Sequence, residues 1–380
     1  AQEYKFYGIS ASIQNVPEGS GSQYLSLGTA GSANVSDNGT LDRVSSYFGR
    51  VNYSYKDRYL LTASMRAYGS SKFSEENRWG YFPSIGAGWI ISQENFMKNV
   101  KFLDNLKLRG SWGKIGNMSV PANLSVLTVT QTPQYVYVGG NGSTSTGGSI
   151  TTVVPPTTYW ERGVGTDIGL EASMLNNRLY AEIDWYNKKT EKAIFDIPIL
   201  GSVGTSSGTI IGNQATFQNQ GFEFLVTWKD RINKDWNYSI SANAGINKNK
   251  VLEVSTGANP IYQQVGPTGS NNFNTRTIVG EPIGEFFGYQ VLGIFQSAQD
   301  IANYKSSGGA VVQPNAQPGD FKYQDVNGDG VIDARDKVVL GNPNPKLLFG
   351  INTNLSYKDF DLTLDFQGVS GVQIYNANLG

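Results

Sequence analysis

Residues 179–186, LYAEIDWY, alternate strictly between apolar and polar side chains. Successive side chains of an extended strand point to opposite faces, so this segment has one apolar face and one polar face. The apolar set is Leu179, Ala181, Ile183 and Trp185, and the polar set is Tyr180, Glu182, Asp184 and Tyr186. Such a strand fits a soluble sheet with one wet face, or a sheet with lipid on one side and water on the other.

The same period-two pattern recurs along the chain and predicts about ten long strands. Their approximate bounds are 43–55, 58–69, 80–92, 105–115, 160–174, 178–190, 214–229, 236–249, 346–357 and 359–369. Strands of globular proteins usually have about 5–6 residues, whereas strands of roughly 10–16 residues suit a tilted crossing of a bilayer.

The links between these strands alternate in length. Short links at Lys56-Asp57, 175–177, 230–235 and Lys358, with a somewhat longer link of the same parity at 93–104, alternate with long links at 70–79, 116–159, 191–213 and 250–345. Outer-membrane barrels have short periplasmic turns and long outer loops, which places all long loops at one end. Aromatic residues beside the short turns, such as Tyr55, Tyr59 and Tyr357, fit an interfacial belt, although aromatic residues favour strands in any protein.

We therefore predict an all-β fold, an antiparallel transmembrane β-barrel segment with long extracellular loops. In this interpretation the apolar set of 179–186 faces lipid, and Glu182 and Asp184 face an aqueous lumen. A soluble antiparallel sheet with one wet face is the alternative. No run of about 18 apolar residues predicts a spanning helix.

The predicted organisation has four parts. A leading segment at 1–42 precedes barrel strands with long outer loops at 43–249, a long extracellular loop region at 250–345 and a barrel hairpin at 346–380. A short helix is expected at 298–305, AQDIANYK, and the Gly/Ser/Thr-rich stretch 139–152 is expected to be a loop tip.

Composition excludes several functions. The chain of 380 residues has 30 basic and 31 acidic residues, and a net charge of −1 gives no reason to expect a nucleic-acid partner. It has neither Cys nor His, which removes thiol nucleophiles, His–Cys zinc sites and imidazole catalysis. Glu182 with Asp184 has the composition of a glycosidase pair, but such pairs recur on many of the strands and fit a lumen lining better. We expect no enzyme and no catalytic cofactor.

Residues 325–336, DVNGDGVIDARD, match the spacing of a calcium-binding loop. The candidate ligands are Asp325, Asn327, Asp329, the Val331 carbonyl, Asp333 and Asp336. Gly330 stands where such a loop turns sharply, and the twelfth position is Asp instead of the usual Glu. The pattern predicts a structural Ca²⁺ or Mg²⁺ that would stiffen the loop, and an Asp/Gly turn held by side-chain hydrogen bonds is the alternative.

The region GDFKYQDVNGDGVIDARDKVVLGNPNPK, residues 319–346, resembles the signature region of SusC/RagA-type TonB-linked outer-membrane transporters of the Bacteroidetes. Further resemblance lies in LDNLKLRGSWGKIGN (103–117), YWERGVGTDIGLEASMLNNRLYAEIDWYNKK (159–189) and PIGEFFGYQVLGIFQS (282–297). The resemblance also includes residues 58–98, and it extends through 159–195 and 319–376. Together these segments follow the family order over nearly the whole chain.

The resemblance implies a TonB-dependent importer in the outer membrane, with a barrel of about 22 strands closed by a plug domain. It also implies a SusD-like surface lipoprotein as lid, an oligosaccharide or peptide as substrate, TonB as energy-coupling partner, and a dimer of transporter–lid pairs. We find no TonB box, plug or terminal aromatic strand in this chain, which stops at Gly380. We therefore expect a middle-to-late barrel segment, with TonB acting through a region outside it.

Two functions stay open at this point. The first is nutrient import, in which loop aromatic residues contact the substrate or the lid; the candidates are Tyr135, Tyr137, Tyr159, Trp160 and Tyr262, and loop packing is the alternative for each. The second is a structural or accessory barrel subunit of a larger outer-membrane assembly. The loops are rich in Gly, Ser, Thr and Asn, a composition compatible with glycans and peptides alike.

Overall fold

The computed structural model describes residues 2–15, 29, 34–120, 129–138, 144–150, 157–198, 209–255, 260–263 and 274–376. In chain order the first strands are β1 (Gln2–Ser12), β2 (Asn34–Tyr55), β3 (Tyr59–Ser70), β4 (Trp79–Ile90), β5 (Leu103–Asn117), β6 (Val129–Val138), β7 (Thr144–Ile150), β8 (Glu161–Met174), β9 (Leu179–Pro198), β10 (Thr209–Arg231) and β11 (Trp236–Val254). They are followed by β12 (Ile261–Gln263), β13 (Thr275–Thr277), β14 (Glu285–Tyr289), β15 (Val291–Ile294), α1 (Ala298–Asn303), β16 (Phe321–Tyr323), β17 (Lys337–Gly341), β18 (Leu347–Tyr357) and β19 (Phe360–Ser370).

Within the described residues, eleven of these strands form one antiparallel sheet in the order β1-β2-β3-β4-β5-β8-β9-β10-β11-β18-β19. Each strand therefore pairs with its neighbours in sequence, apart from the two insertions β6–β7 and β12–β17. Strands β1 and β19 lie at the two edges of the sheet. The predicted all-β, antiparallel barrel segment is confirmed, and each of the ten predicted strands is present.

Strand β1 was not among the predicted strands. It pairs with β2 from Gln2 opposite Val44 to Ser12 opposite Asn34. Its sequence, QEYKFYGISAS, carries aromatic or aliphatic side chains on both faces, so the period-two contrast that marks the other strands is weak. Strand β2 also begins earlier than predicted. It starts at Asn34, nine residues before the start at 43 that the alternation indicated.

Strands β9 and β10 extend beyond their predicted bounds at the end of the sheet where the long loops leave. β9 reaches Pro198, and β10 begins at Thr209, so the long link predicted at 191–213 contains a continued ladder between the two strands. Backbone pairing continues there although the side chains no longer alternate between apolar and polar. β-Bulges interrupt this upper ladder between Asn213 and Phe217, where the alternation pattern breaks down.

Tight turns gather at one end of the sheet. Lys56 and Asp57, between β2 and β3, both have positive φ (52° and 51°), the backbone of a type I′ hairpin turn. Lys358, between β18 and β19, also has positive φ. The two folded insertions, β6–β7 and β12–β17, leave from the opposite end, as predicted. The β4–β5 link at 91–102 lies at the tight-turn end and is longer than the β3–β4 link at 71–78, so the alternation of short and long links is not strict.

The two faces of the sheet differ in chemistry. Ile183 lies opposite Leu170 of β8 and Phe224 of β10, and this apolar row continues through Ala244 to Phe349 of β18. Four of these five side chains are exposed, and Ala244 is partly exposed. An apolar surface of several strands would be unfavourable in water, so this face is the one that lipid covers.

Aromatic residues border the apolar face at both ends. At the tight-turn end, Tyr59 stacks on Tyr55 and on Trp89, and Glu94 accepts hydrogen bonds from the Tyr59 hydroxyl (2.7 Å) and the Trp89 indole (3.1 Å). At the other end Trp79 stacks on Tyr47. Ten residue steps separate Trp79 from Trp89, or about 33 Å along the strand and about 25 Å in height at a tilt of roughly 40°, the height expected for a barrel's lipid-facing band.

Buried cores lie at the long-loop end instead of the middle of the sheet. Phe73, Phe82, Val120 and Trp160 form one buried cluster, and Ala215, Val251, Val254 and Ile261 form a second. Both clusters contain loop residues packed against upper strand ends. The fold thus buries side chains where the loops cover the sheet and leaves its lower apolar face uncovered.

The long loop region between β11 and β18 is itself folded. It contains a four-stranded sheet ordered β12-β13-β14-β17 and a hairpin of β15 with β16. The predicted short helix is present as α1, where the Ser297 side chain accepts a hydrogen bond from the Asp300 backbone N–H. In the ranges described here, no helix has both the length and the apolarity to cross a membrane.

The two-faced sheet predicts opposite effects of a charge on adjacent residues. Phe224→Lys places an ammonium group on the apolar face, where it costs about 2–4 kcal/mol at mid-bilayer depth, so the yield of assembled barrel should fall severalfold. Leu225→Lys is the matched control, because Leu225 lies at the same depth on the polar face, opposite Glu182. Heat-modifiable gel mobility of the membrane-inserted intact protein measures assembly. Equal loss for both variants would contradict the assignment of faces.

Candidate functional site

The polar face of the sheet is organised around Arg109 of β5. Its guanidinium group donates to Glu171 (Nε, 2.7 Å) and Asp167 (Nη1, 2.8 Å) of β8. Its Nη2 donates to Glu182 (2.6 Å) and Asp184 (2.8 Å) of β9. One cation therefore connects three strands through four carboxylates.

Gly169 makes this arrangement possible. It lies directly opposite Arg109 on β5 and Asp184 on β9. A Cβ atom at Gly169 would overlap the Asp184 carboxylate and lie 2.8 Å from Arg109 Cζ. The missing side chain thus leaves the space in which the guanidinium and the Asp184 carboxylate meet.

Negative charge exceeds positive charge around Arg109. Lys107 adds a second cation 3.3 Å from Glu171, and the Tyr180 hydroxyl donates to Glu182 at 2.7 Å. Two cations against four carboxylates leave a local formal charge of −2. The wall at this point is polar and anionic, as expected for a water-facing lumen.

Glu182 and Asp184 do not form a free catalytic pair. Both carboxylates bind the same Arg109 Nη2 atom, and the Asp184 side chain is only 9% exposed. A glycosidase needs a protonated acid and a separate nucleophile or base facing one substrate. The arrangement instead cross-links strands within the polar wall.

Trp160 is a packing residue at the long-loop end. Its ring stacks on Phe73 with centroids 4.5 Å apart and meets Phe82 and Tyr68 edge-on. Its indole N–H donates to the Asn77 carbonyl at 3.0 Å. The residue is 6% exposed, so among the aromatic candidates it has the loop-packing role.

Tyr159 remains accessible beside this cluster. The Lys192 ammonium group lies 3.5 Å from the centroid of the Tyr159 ring. The Tyr159 backbone N–H donates a hydrogen bond to the Asn213 side-chain oxygen. Tyr262 is partly buried and packs against Phe287 of β14, with centroids 5.8 Å apart. Tyr135 and Tyr137 lie on β6, and their side chains fall outside the described part of the structure.

The acidic loop closes on its own backbone. Asp325 accepts hydrogen bonds from the N–H groups of Gly328 and Gly330, both at 2.8 Å. Gly330 has φ +87°, the sharp turn that the sequence pattern requires at this position. Asp336 is fully buried and accepts from the Val326 and Asp333 N–H groups.

Arg335 supplies the main counter-charge of the loop. It lies 2.7 Å from Asp329 and 2.6 Å from Asp333, and the other Asp329 oxygen accepts from the Val331 N–H. Hydrogen bonds from the Arg335 side chain hold the pKa of Asp333 below its ordinary value of 3.8. The Asn327 side-chain oxygen accepts a hydrogen bond from the Asp329 backbone N–H (2.9 Å), and its amide nitrogen donates to the Asp329 carboxylate (3.0 Å). Over the residues that the structure describes, no three or more carboxylates converge on a metal-sized site.

Sequence reasoning missed Arg109 as the organising residue of the wall. It stands in LKLRGSW, where the alternation places Lys107 and Arg109 on the polar face of β5. Its partners lie about 60 to 75 residues away in sequence. Only the register of β5, β8 and β9 brings them together.

Comparison with known proteins agrees with this geometry. Residues 3–378 match the family model described as TonB dependent receptor-like, beta-barrel. The chain is 38% identical over 338 residues to TonB-dependent receptor P26 of Formosa agariphila, covering 89% of this chain and 33% of the relative. It is 31% identical over 346 residues to TonB-dependent receptor SusC of Bacteroides thetaiotaomicron, covering 88% of this chain and 32% of the relative.

A solved structure shares the fold. The RagAB peptide transporter superposes with a TM-score of 0.75 at 23% identity, covering 97% of this chain and 38% of that chain. The chain spans about a third of the length of the curated relatives. These relatives are receptors and transporters, which agrees with the prediction that the chain is not an enzyme.

The Arg109 network predicts a specific loss of stability. Arg109→Gln leaves four carboxylates without their shared cation and should destabilise the barrel by about 1–3 kcal/mol, since removing one partner of a buried ion pair costs up to about 3–5 kcal/mol. Lys107→Gln removes a single ion pair and serves as control. Adding Asp184→Asn to Arg109→Gln should recover part of the loss.

Thermal unfolding of the detergent-solubilised intact protein, followed by tryptophan fluorescence, measures these differences. An Arg109→Gln variant as stable as Lys107→Gln would contradict the role given to the network.

Proposed function

Since the chain belongs to the TonB-dependent receptor-like β-barrel family, we propose that it forms part of the wall of an outer-membrane nutrient importer. The observation that carries this proposal is the two-faced sheet, with an apolar outer face, a polar charged inner face and both folded insertions, β6–β7 and β12–β17, at one end. That architecture gives a solute a water-facing path through the membrane. TonB, acting through a region outside this chain, would supply the energy.

We propose further that a SusD-like surface lipoprotein covers the long-loop end, and that the substrate is an oligopeptide or an oligosaccharide. The SusC relative and the fold shared with the RagAB peptide transporter support this assignment. Folded insertions such as β12–β17 give the long-loop end an extended surface for a partner or a substrate. Tyr159 is the accessible aromatic candidate there for contact with either. A dimer of two transporter–lid pairs completes the proposed assembly.

Uptake measurements in the native bacterium test the importer. A strain lacking the protein should lose uptake of one labelled pool, oligopeptides or oligosaccharides, and complementation with the intact gene should restore it. A protonophore should abolish the same uptake, because TonB coupling depends on the inner-membrane proton gradient. Co-purification of a lipoprotein in mild detergent tests the lid.

The accessory-subunit alternative has the opposite signature. Uptake of both pools would persist in the deletion strain, while another outer-membrane complex would lose integrity. That result would contradict the importer.

We also propose that the acidic loop binds Ca²⁺ or Mg²⁺ as a structural ion. The spacing of Asp325, Asn327, Asp329, Val331, Asp333 and Asp336 and the turn at Gly330 support the proposal. Arg335 occupies the oxygens of Asp329 and Asp333, so a cation would have to displace it. The Arg335 side chain is 65% exposed and has room to move away.

Terbium luminescence of the intact protein tests the cation site, with Tyr304, whose hydroxyl lies 3.2 Å from the Asp325 backbone N–H, as the sensitising residue. Arg335→Ala should raise the apparent affinity severalfold over wild type, because the competing cation is removed. Asp325→Asn should weaken binding in either background. The absence of sensitised, calcium-displaceable emission from both wild type and Arg335→Ala at millimolar ion would overturn the proposal and leave a salt-bridged turn.

A further inference from the structure

The lipid-facing side of the sheet changes from apolar to basic at the long-loop end. The highest row that is apolar on four successive strands pairs Ile168, Trp185, Phe222 and Ile246. Two residues nearer the long-loop end, the next row consists of Thr166, Asn187, Gln220 and Lys248. The two rows share a face, because side chains two apart on a strand point the same way.

The next row up carries the basic residues. Lys114 of β5 pairs with Val164, Val164 with Lys189, Lys189 with Gln218, and Gln218 with Lys250 of β11. Arg162 lies one row above Val164 on the same face. We name Lys114, Arg162, Lys189, Lys248 and Lys250 together the basic row; they lie on β5, β8, β9 and β11, within three successive register rows of one surface.

Little negative charge opposes this basic row. Glu191 lies 3.2 Å from Arg162 and 3.6 Å from Lys189. Lys114 lies over the Trp112 ring at 5.7 Å. Lys248 and Lys250 are exposed and form no ion pair with any described residue. Glu253, opposite Thr216, is exposed on the same face just beyond Lys250. Among the described residues, five cations against two carboxylates leave a formal charge of +3 on the lipid-facing side.

The tight-turn end of the same face is different. There the outward-facing Asp230 of β10, two residues beyond Trp228, pairs with Arg178 at 3.2 Å. The outward charges of these strands are therefore balanced at one end and strongly positive at the other. General solubility would give no reason for this asymmetry.

The height of the basic row matches lipid head groups. One step of two residues is about 6.6 Å along a strand, or about 5 Å in height at a tilt of roughly 40°. Measured along its own strand, Lys248 thus lies about 5 Å and Lys250 about 10 Å above Ile246, Lys189 about 10 Å above Trp185, and Lys114 about 5 Å above Trp112. Head-group regions occupy roughly the first 5–8 Å beyond the hydrocarbon core, and lysine side chains bend toward them.

We propose that the basic row binds the phosphate groups of the phosphorylated glycolipid in the outer leaflet. This inference rests on the outer-membrane location and the orientation of the proposed importer, with the long loops outside, but not on its substrate, its lid or its energy coupling. Bound lipid phosphates would neutralise the lysines and fix the height and tilt of this part of the wall in the membrane.

Native mass spectrometry of the intact protein in detergent tests the site, with diphosphorylated lipid A and its dephosphorylated form as probes. Lys248→Gln with Lys250→Gln should weaken binding of the phosphorylated probe about tenfold or more, since each lysine near an anionic surface contributes about 1 kcal/mol. Wild type should bind the dephosphorylated probe far more weakly.

Lys229→Gln with Lys234→Gln is the matched control, because both lysines are exposed on the same β10–β11 hairpin but at its tight-turn end. This variant should stay within twofold of wild type. Equal binding by both double variants, or equal binding of both probes by wild type, would overturn the inference. Uptake assays on the same variants keep the two proposals separate. Unchanged lipid binding by Lys248→Gln with Lys250→Gln while uptake is intact contradicts only this inference, whereas weakened lipid binding by that variant together with unchanged uptake in the deletion strain contradicts only the importer.

Discussion

The hydrogen-bonded backbone ladder is the interaction on which the structure depends. In hydrocarbon an unpaired N–H or C=O group costs several kcal/mol, so a membrane-crossing strand must pair along its whole length on both sides. The sequential pairing does this for the strands between β1 and β19, which themselves lie at the two edges of the described sheet. Once the ladder is fixed, alternation decides which side chain meets lipid and which meets water. The apolar rows, the Arg109 network and the basic row all follow from that one register.

The same register explains how distant residues become one site. Arg109 meets carboxylates from β8 and β9 because Gly169 lies between them and has no side chain. The excess of carboxylates makes this stretch of wall anionic, and the multiple hydrogen bonds hold three strands together on the face where no lipid packs against them. The wall of the proposed importer would need polarity and rigidity at the same place, and this network would provide both.

Much of the fold could be predicted because alternation is a local signal. The alternation within LYAEIDWY and similar segments predicts which side chains share a face, and the positions of the turns predict which strands pair. β1 was missed because Tyr4, Phe6, Tyr7 and Ile9 occupy both of its faces. The role of Trp160 could not be read from sequence, since a loop aromatic residue can bind a ligand or fill a core. Its burial between Phe73 and Phe82 shows that Trp160 fills a core.

In the acidic loop the spacing predicted the turn at Gly330, whereas the bonds of Arg335 to Asp329 and Asp333 depend on side-chain conformations that spacing does not specify.

The most direct test of the account is a scan of residues 179–186 in the native membrane. This chain contains no cysteine, so single cysteines can be introduced at each position and spin-labelled. We predict a period of two: labels at 179, 181, 183 and 185 should collide with oxygen dissolved in lipid, and labels at 180, 182, 184 and 186 with a water-soluble nickel chelate. Uniform accessibility to the nickel chelate along the segment would contradict a membrane-spanning strand and would favour a soluble sheet.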